Sequence, residues 1–140
     1  MAGEIRATIV GNITADPELR FTTSGIAVAN FTIASNVRTF DKLKSEWVDG
    51  NTSFIRVNVW RQLAENVVET LVKGNRVIAY GTLEDRTWED DEDVTRHSFE
   101  LTAESVGAEL TWATATVVKT VTKAPVKPAP AKPRSRALRK

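Results

Sequence analysis

The stretch from Ser53 to Trp60 alternates strictly between two kinds of side chain. Because successive side chains of a β-strand point to opposite faces, it predicts a strand with two unlike faces. The face that fits a core is aliphatic: Ile55, Val57 and Val59. The other face carries two aromatic rings with a guanidinium and an amide between them: Phe54, Arg56, Asn58 and Trp60. Unpaired bases stack on such a surface while a cation contacts phosphate, although a sheet face covered by another subunit fits this octapeptide equally well.

The remaining pattern up to residue 118 predicts further short strands around a single helix. Strands are expected at 5–13, 26–34, 76–88 and 94–104, with a bend near Gly81. The apolar stripe of the helix follows i, i+4 spacing and consists of Leu63, Ala64, Val67, Val68 and Leu71. Three strands, a helix and two strands is the element order of an OB-fold. We therefore predict an all-β fold, a five-stranded OB-fold barrel with one helix between strands 3 and 4.

Two segments between the predicted strands are polar. Residues 35–52 favour a protruding hairpin or a long loop, in which cations alternate with aromatic rings. Such a mixture is common on nucleic-acid surfaces, and a solvated loop is the alternative. The run Glu89–Asp93 is expected to be an acidic hairpin tip, because its spacing lacks the glycine and the distal glutamate of an EF-hand.

Net charge divides the chain into two parts. Residues 1–118 contain 11 Lys/Arg and 18 Asp/Glu, whereas residues 119–140 contain eight Lys/Arg and no acid. The second part also holds four of the five prolines and shows no periodicity, so we expect a disordered basic tail after a folded domain at 1–118. Any polyanion site in the acidic domain has to rely on a local arrangement of cations, since salt screens charges beyond about 8 Å.

Several classes of function are disfavoured by composition. The chain has no cysteine and a single histidine, His97, and it lacks the glycine-rich phosphate-binding motifs. We therefore expect neither an enzyme, nor a metal site, nor a bound cofactor. No apolar run approaches the roughly 20 residues of a membrane span. The N-terminal residues do not resemble a signal peptide, which favours a cytoplasmic protein.

Four ordered segments resemble the bacterial single-stranded DNA-binding protein (SSB) family. They are Val10-Gly-Asn-Ile-Thr-Ala-Asp-Pro-Glu-Leu-Arg20, Gly25-Ile-Ala-Val-Ala-Asn-Phe31, the strand Phe54–Trp60 with Leu63-Ala-Glu65, and Leu71-Val-Lys-Gly74 before Val77 and Gly81. The resemblance covers about residues 4–112. It implies a nucleoid-associated OB-fold homotetramer around which single-stranded DNA wraps, and a function in replication, recombination or repair.

The resemblance also implies candidate DNA-contacting residues. Trp88, Phe54, Trp60 and, with a differing loop length, Phe40 fall at or near aromatic stacking positions of the family. The basic positions are Arg20 and Arg56, and Arg86 completes the candidate set. Trp47 and Trp112 have weaker claims. Leu110–Val118 resembles an extra strand of actinobacterial members that clamps subunits together.

One departure from the family pattern concerns the C-terminal part. Family members usually end in an acidic tip that recruits replication and repair proteins, whereas no acid follows Glu109 here. Recruitment by this route is therefore doubtful, and the chain resembles a secondary, paralogous member. The rival hypothesis is an OB-fold protein-interaction module of the replication machinery with weak DNA affinity, which the net charge of −7 over residues 1–118 supports.

Overall fold

The structure, a computed structural model, describes residues 3–120. Its elements in chain order are β1 (Ile5–Ile13), β2 (Glu18–Phe21), β3 (Ala27–Asp41), β4 (Glu46–Trp60), α1 (Arg61–Thr70), β5 (Arg76–Glu89) and β6 (Thr95–Ala108). The predicted all-β class with one helix after the Phe54–Trp60 strand is confirmed. The short strand β2 is additional to the five predicted strands. The predicted disordered tail falls, from residue 121 onward, outside the described residues.

The strands form one sheet that closes on itself as a barrel. The order is β1-β5-β6-β4-β3-β2, and a further pairing of β1 with β3 joins Asn12 to Ala34 and Ile13 to Ile33. All pairs are antiparallel except β4 with β6, which run parallel through Arg56–Glu100 and Asn58–Thr102. The barrel therefore contains β1, β5, β6, β4 and β3, while β2 pairs with the end of β3.

The core lies inside this barrel and under the helix. The predicted inward residues Phe31, Ile33, Val57 and Val59 are buried, and Ile55 packs against them. The helix contributes Ala64 and Val67, and Leu71 follows it, as the apolar stripe predicted. Removing this aliphatic surface from water stabilises the barrel by about 25 cal/mol per Å².

Two glycines allow strands to approach one another closely. A Cβ atom on Gly11 would collide with the carbonyl oxygen of Ala34, and one on Gly81 would collide with that of Thr102. The register of β5 against β6 shifts between Tyr80 and Gly81, because β6 carries one extra residue there, Glu104. The bend of β5 near Gly81 stays a prediction. Both glycines are therefore required by contact between backbones.

The structure confirms one sequence-based expectation, with longer strands than predicted, and contradicts another. The polar segment 35–52 is a hairpin, and it is so fully paired that β3 and β4 extend to Asp41 and from Glu46. Leu110–Val118, expected to be a strand, is not one: its residues are exposed and pair with no strand among the described residues. A strand needs a hydrogen-bonding partner, and the single chain offers none there.

The described residues contain no helix long and apolar enough to cross a membrane.

Candidate nucleic-acid interface

The outer face of β4 carries the aromatic and cationic side chains that alternate with its core residues. The rings of Phe54 and Trp60 are 63% and 45% exposed. Between them, Arg56 is exposed and Asn58 is half-buried. The chain leaves this face abruptly after Trp60, since Arg61 has a φ of 62° and begins the helix. The alternation of this one strand thus places two rings and a guanidinium on one accessible surface.

The register of the neighbouring strands extends this face across the barrel. Glu100 of β6 is the cross-strand neighbour of Arg56 in β4 and, on its other side, of Glu84 in β5. Alternation along β5 then puts Arg86 and Trp88 on the same face, and Arg86 Nη1 donates to Glu100 Oε2 at 3.2 Å. The Trp88 ring is 45% exposed. We call this surface the aromatic strip: Phe54, Arg56, Trp60, Arg86 and Trp88.

The predicted cations differ in how they are held. Within residues 3–120, Arg56 makes no hydrogen bond and no ion pair, so its donors are available to a ligand. The side chain of Arg86 is 66% exposed, and its ion pair with Glu100 uses one of its five donors. Arg20 of β2 donates to Asn30 Oδ1 through Nε at 3.3 Å and Nη2 at 2.8 Å. All three guanidinium groups retain donors for phosphate oxygens.

Three polar residues at this site were not identified as functional from sequence: Asn30, Asn58 and Glu100. Asn30 Nδ2 donates to Asn58 Oδ1, and Asn58 Nδ2 donates to Glu100 Oε1 at 2.9 Å. They join Arg20 at one end of the face to Arg86 at the other. The pattern of alternation placed Asn58 on the outer face, but only strand register brings it to Glu100.

The predicted residue Phe40 lies away from the aromatic strip, in the β3–β4 hairpin. Its ring packs edge-on against Trp47, with centroids 5.5 Å apart. The register shift between Asn36 and Arg38 reflects one extra residue in β4, because Asn36 to Arg38 is two steps and Thr52 to Asp49 is three. Alternation along β3 from Ala34, the partner of Phe54, therefore puts the ring pair on the same side of the ribbon as Phe54 but farther out. The structure brings together six of the seven candidate residues and places Phe40 beyond them, in a separate aromatic pair.

The acidic tip between β5 and β6 is a turn organised by Asp90. Its Oδ1 accepts from the backbone N–H groups of Glu92 and Val94, and its Oδ2 accepts from Arg96 Nε at 2.8 Å. The Val94 N–H and then Arg96 hold the pKa of Asp90 below its ordinary value. The ionised Asp90 carboxylate therefore contributes to folding stability at pH values above its ordinary pKa. This contribution is lost as the pH falls through the lowered pKa. Among residues 3–120, no group of acids is arranged to hold a metal ion.

Trp112 lies on Arg76 of β5. The guanidinium carbon of Arg76 is 5.0 Å from the ring centroid, and Arg76 Nε is 2.7 Å from Glu109 Oε1. Thr111 and then Arg76 lower the pKa of Glu109. Trp112 is 78% exposed, and within residues 3–120 it makes no recorded contact with the aromatic strip. It lines a cavity together with Ala34, the β3 partner of Phe54.

Comparison with known proteins agrees with this geometry. The model of the single-strand binding protein family matches residues 5–108. The chain belongs to this family. A single-stranded DNA-binding protein of Paenarthrobacter aurescens is 54% identical over 120 residues, covering 86% of this chain and 70% of that protein. Single-stranded DNA-binding protein 2 of Streptomyces coelicolor is 55% identical over 120 residues, and the chain covers 60% of its length.

A solved structure of the family supports the fold. It is the small single-stranded DNA-binding protein from Streptomyces coelicolor, which aligns with a TM-score of 0.69 at 32% identity. The alignment covers 77% of this chain and 96% of the other. The OB-fold predicted from element order is thus confirmed by an SSB structure as well as by the strand pairing.

Proposed function

We propose that this SSB-family chain binds single-stranded DNA without sequence preference, using the aromatic strip. The observation that carries the proposal is the presence of three exposed rings, Phe54, Trp60 and Trp88, on one outer face with the guanidinium of Arg56, which has no partner among residues 3–120. Each base stacked on an aromatic ring contributes roughly 1–3 kcal/mol, and any base can stack. Arg20, Arg56 and Arg86 contact the phosphates. The relatives named above are single-stranded DNA-binding proteins, and members of the family are non-enzymatic.

Tryptophan fluorescence during titration with oligo(dT) tests this function. Stacking of thymine on Trp60 and Trp88 is expected to quench the emission strongly, and added salt is expected to reverse the quenching because phosphate contacts release counterions. A matched double-stranded oligonucleotide is the control. Unchanged fluorescence together with no mobility shift would favour the rival hypothesis, an OB-fold interaction module.

We further propose that the protein acts where single strands are exposed during replication, recombination or repair. Binding without sequence preference suits this function, because any genomic sequence becomes single-stranded there. The expected location is the cytoplasm, in association with the nucleoid.

We propose a homotetramer as the binding unit. Within the described residues, the edge of β1 away from β5 pairs with β3 only at Asn12 and Ile13, which leaves residues 5–10 open to another strand. Exposed apolar side chains lie nearby on β1 and β5, namely Ile5, Ile78 and Tyr80. Open edges and apolar faces favour association. Light scattering with size-exclusion chromatography is expected to give four chains, and a monomeric mass would contradict this.

We also propose that the basic residues 119–140 contact DNA beyond the domain at 1–118. Eight Lys/Arg without an acid attract phosphate and cannot act as an acidic recruiting tip. Deleting residues 121–140 is expected to weaken oligo(dT) binding and to make its salt dependence less steep. An unchanged affinity and slope would contradict this role.

A further inference from the structure

A directed chain of hydrogen bonds crosses the outer face of the barrel. Starting in β2, Arg20 donates to Asn30 of β3, Asn30 donates to Asn58 of β4, and Asn58 donates to Glu100 of β6. Arg86 of β5 donates to the other oxygen of Glu100. One carboxylate is therefore connected to two cations on opposite sides of the face.

The direction of the chain follows from the chemistry of its ends. A carboxylate only accepts and a guanidinium only donates, so Asn58 has to present its NH2 group to Glu100 and Asn30 has to present its oxygen to Arg20. Arg20 and the ionised Glu100 thus fix the orientation of both amides together. A neutral amide at position 100 still offers one oxygen to Asn58, but its NH2 group cannot accept from Arg86, so the connection to Arg86 is lost.

Glu100 lies beneath the surface on which DNA would bind. Its side chain is 12% exposed, compared with 66% for Arg86. A carboxylate at the centre of a phosphate-binding face is unfavourable by charge alone. Glu84, the exposed acid opposite Glu100 in β5, carries the same charge but accepts only a 3.4 Å bond from Thr102.

We propose that Glu100 is a positioning residue of the DNA-binding face. It orients Arg86 directly and orients Arg20 through Asn58 and Asn30, so that both guanidinium groups present their remaining donors to the phosphates. This inference rests on the proposed function. If Glu100 positions the cations, removing its negative charge weakens DNA binding. If its only effect is repulsion of the phosphates, removing the charge strengthens binding.

The first test compares Glu100→Gln with Glu84→Gln in oligo(dT) titrations of the full chain. We expect Glu100→Gln to lower affinity about tenfold, the scale of a hydrogen bond to a charged group, and Glu84→Gln to leave it equal or slightly higher. Equal or higher affinity for both variants would overturn the proposal. Thermal melting of both variants shows whether the barrel is folded.

The second test measures coupling between residues that do not touch. Arg20→Ala is made in the wild-type chain and in an Asn58→Leu chain, which interrupts the hydrogen bonds without changing charge. The loss of affinity from Arg20→Ala is expected to be about fivefold in the first and under about twofold in the second. Equal losses would overturn the proposal while leaving DNA binding intact. If the wild-type chain does not bind oligo(dT), the proposed function fails as well.

Discussion

The two long hairpins of the barrel share an architecture and differ in charge and aromatic arrangement. We call residues 38–49 the β3–β4 arm and residues 85–98 the β5–β6 arm. An aspartate closes each tip: Asp41 accepts from the N–H groups of Leu43 and Lys44, as Asp90 does from those of Glu92 and Val94. The β3–β4 arm contains three basic and three acidic residues, whereas the β5–β6 arm contains two basic and six acidic residues.

This difference indicates that the arms contribute different interactions. In the β3–β4 arm the aromatic rings pack on each other, and the exposed cations at the tip are Lys42 and Lys44, on either side of the exposed Leu43. In the β5–β6 arm the tip repels phosphate, but Trp88 is exposed on the same face as Arg86. We therefore expect electrostatic attraction from the first arm and base stacking from the second.

Trp88→Ala is expected to produce the largest effect. Loss of a stacking platform worth about 1–3 kcal/mol lowers oligo(dT) affinity by about one to two decades. Phe99→Ala is the matched control, because Phe99 is an exposed ring at the base of the β5–β6 arm, where it pairs with Asp85 on the opposite face from Trp88. Affinities are measured by the anisotropy of labelled oligo(dT). Equal losses of affinity in the two variants would show that DNA does not prefer the Trp88 face of β5 and β6.

Trp60→Ala is expected to lower affinity on the same scale, about one to two decades. Trp60 ends β4 and is 45% exposed. Light scattering of the variant separates two roles: an unchanged oligomer with weaker binding confirms stacking, and a smaller oligomer would identify Trp60 as an assembly residue instead.

These variants depend on features that sequence reveals to different extents. The two faces of residues 53–60 were predictable because a period of two is a local property of the strand. The position of Phe40 relative to Phe54 was not predictable, because it depends on an extra residue that β4 carries between Thr52 and Asp49.

The chain of hydrogen bonds from Arg20 to Glu100 could not be predicted from sequence for a related reason. Asn30, Asn58 and Glu100 are far apart in sequence, and they meet only because β3, β4 and β6 pair in one register. The missing strand at 110–118 has another cause, since its expected partner was another subunit. The individual strands and their order could therefore be predicted from the sequence. The contacts between strands at the site depend on strand pairing and could not.

Removing the cations of the β3–β4 arm is expected to change salt dependence more than affinity. Lys42→Ala with Lys44→Ala makes the slope of log K against log salt less steep by about 1.4, at roughly 0.7 per phosphate contact with single strands. Lys73→Ala, in the turn after the helix, is the control and is expected to leave the slope unchanged. An unaltered slope in the double variant would place the tip away from DNA.

The smallest effect is expected from the acidic tip. Asp91→Asn with Glu92→Gln removes two charges and leaves Asp90 to close the turn. We expect about a twofold gain in affinity at low salt that disappears at high salt, because these exposed charges are screened. A loss of affinity at low salt would indicate that the acids contact DNA through a cation or a base.

The location of bound DNA is tested most directly by ultraviolet cross-linking of oligo(dT) followed by peptide mass spectrometry. Cross-links are expected at Phe54, Trp60 and Trp88, and none at Tyr80 on the β1–β5 side of the barrel. Cross-links confined to Tyr80 or Trp112, with Phe54, Trp60 and Trp88 unmodified, would contradict the aromatic strip as the DNA-binding surface.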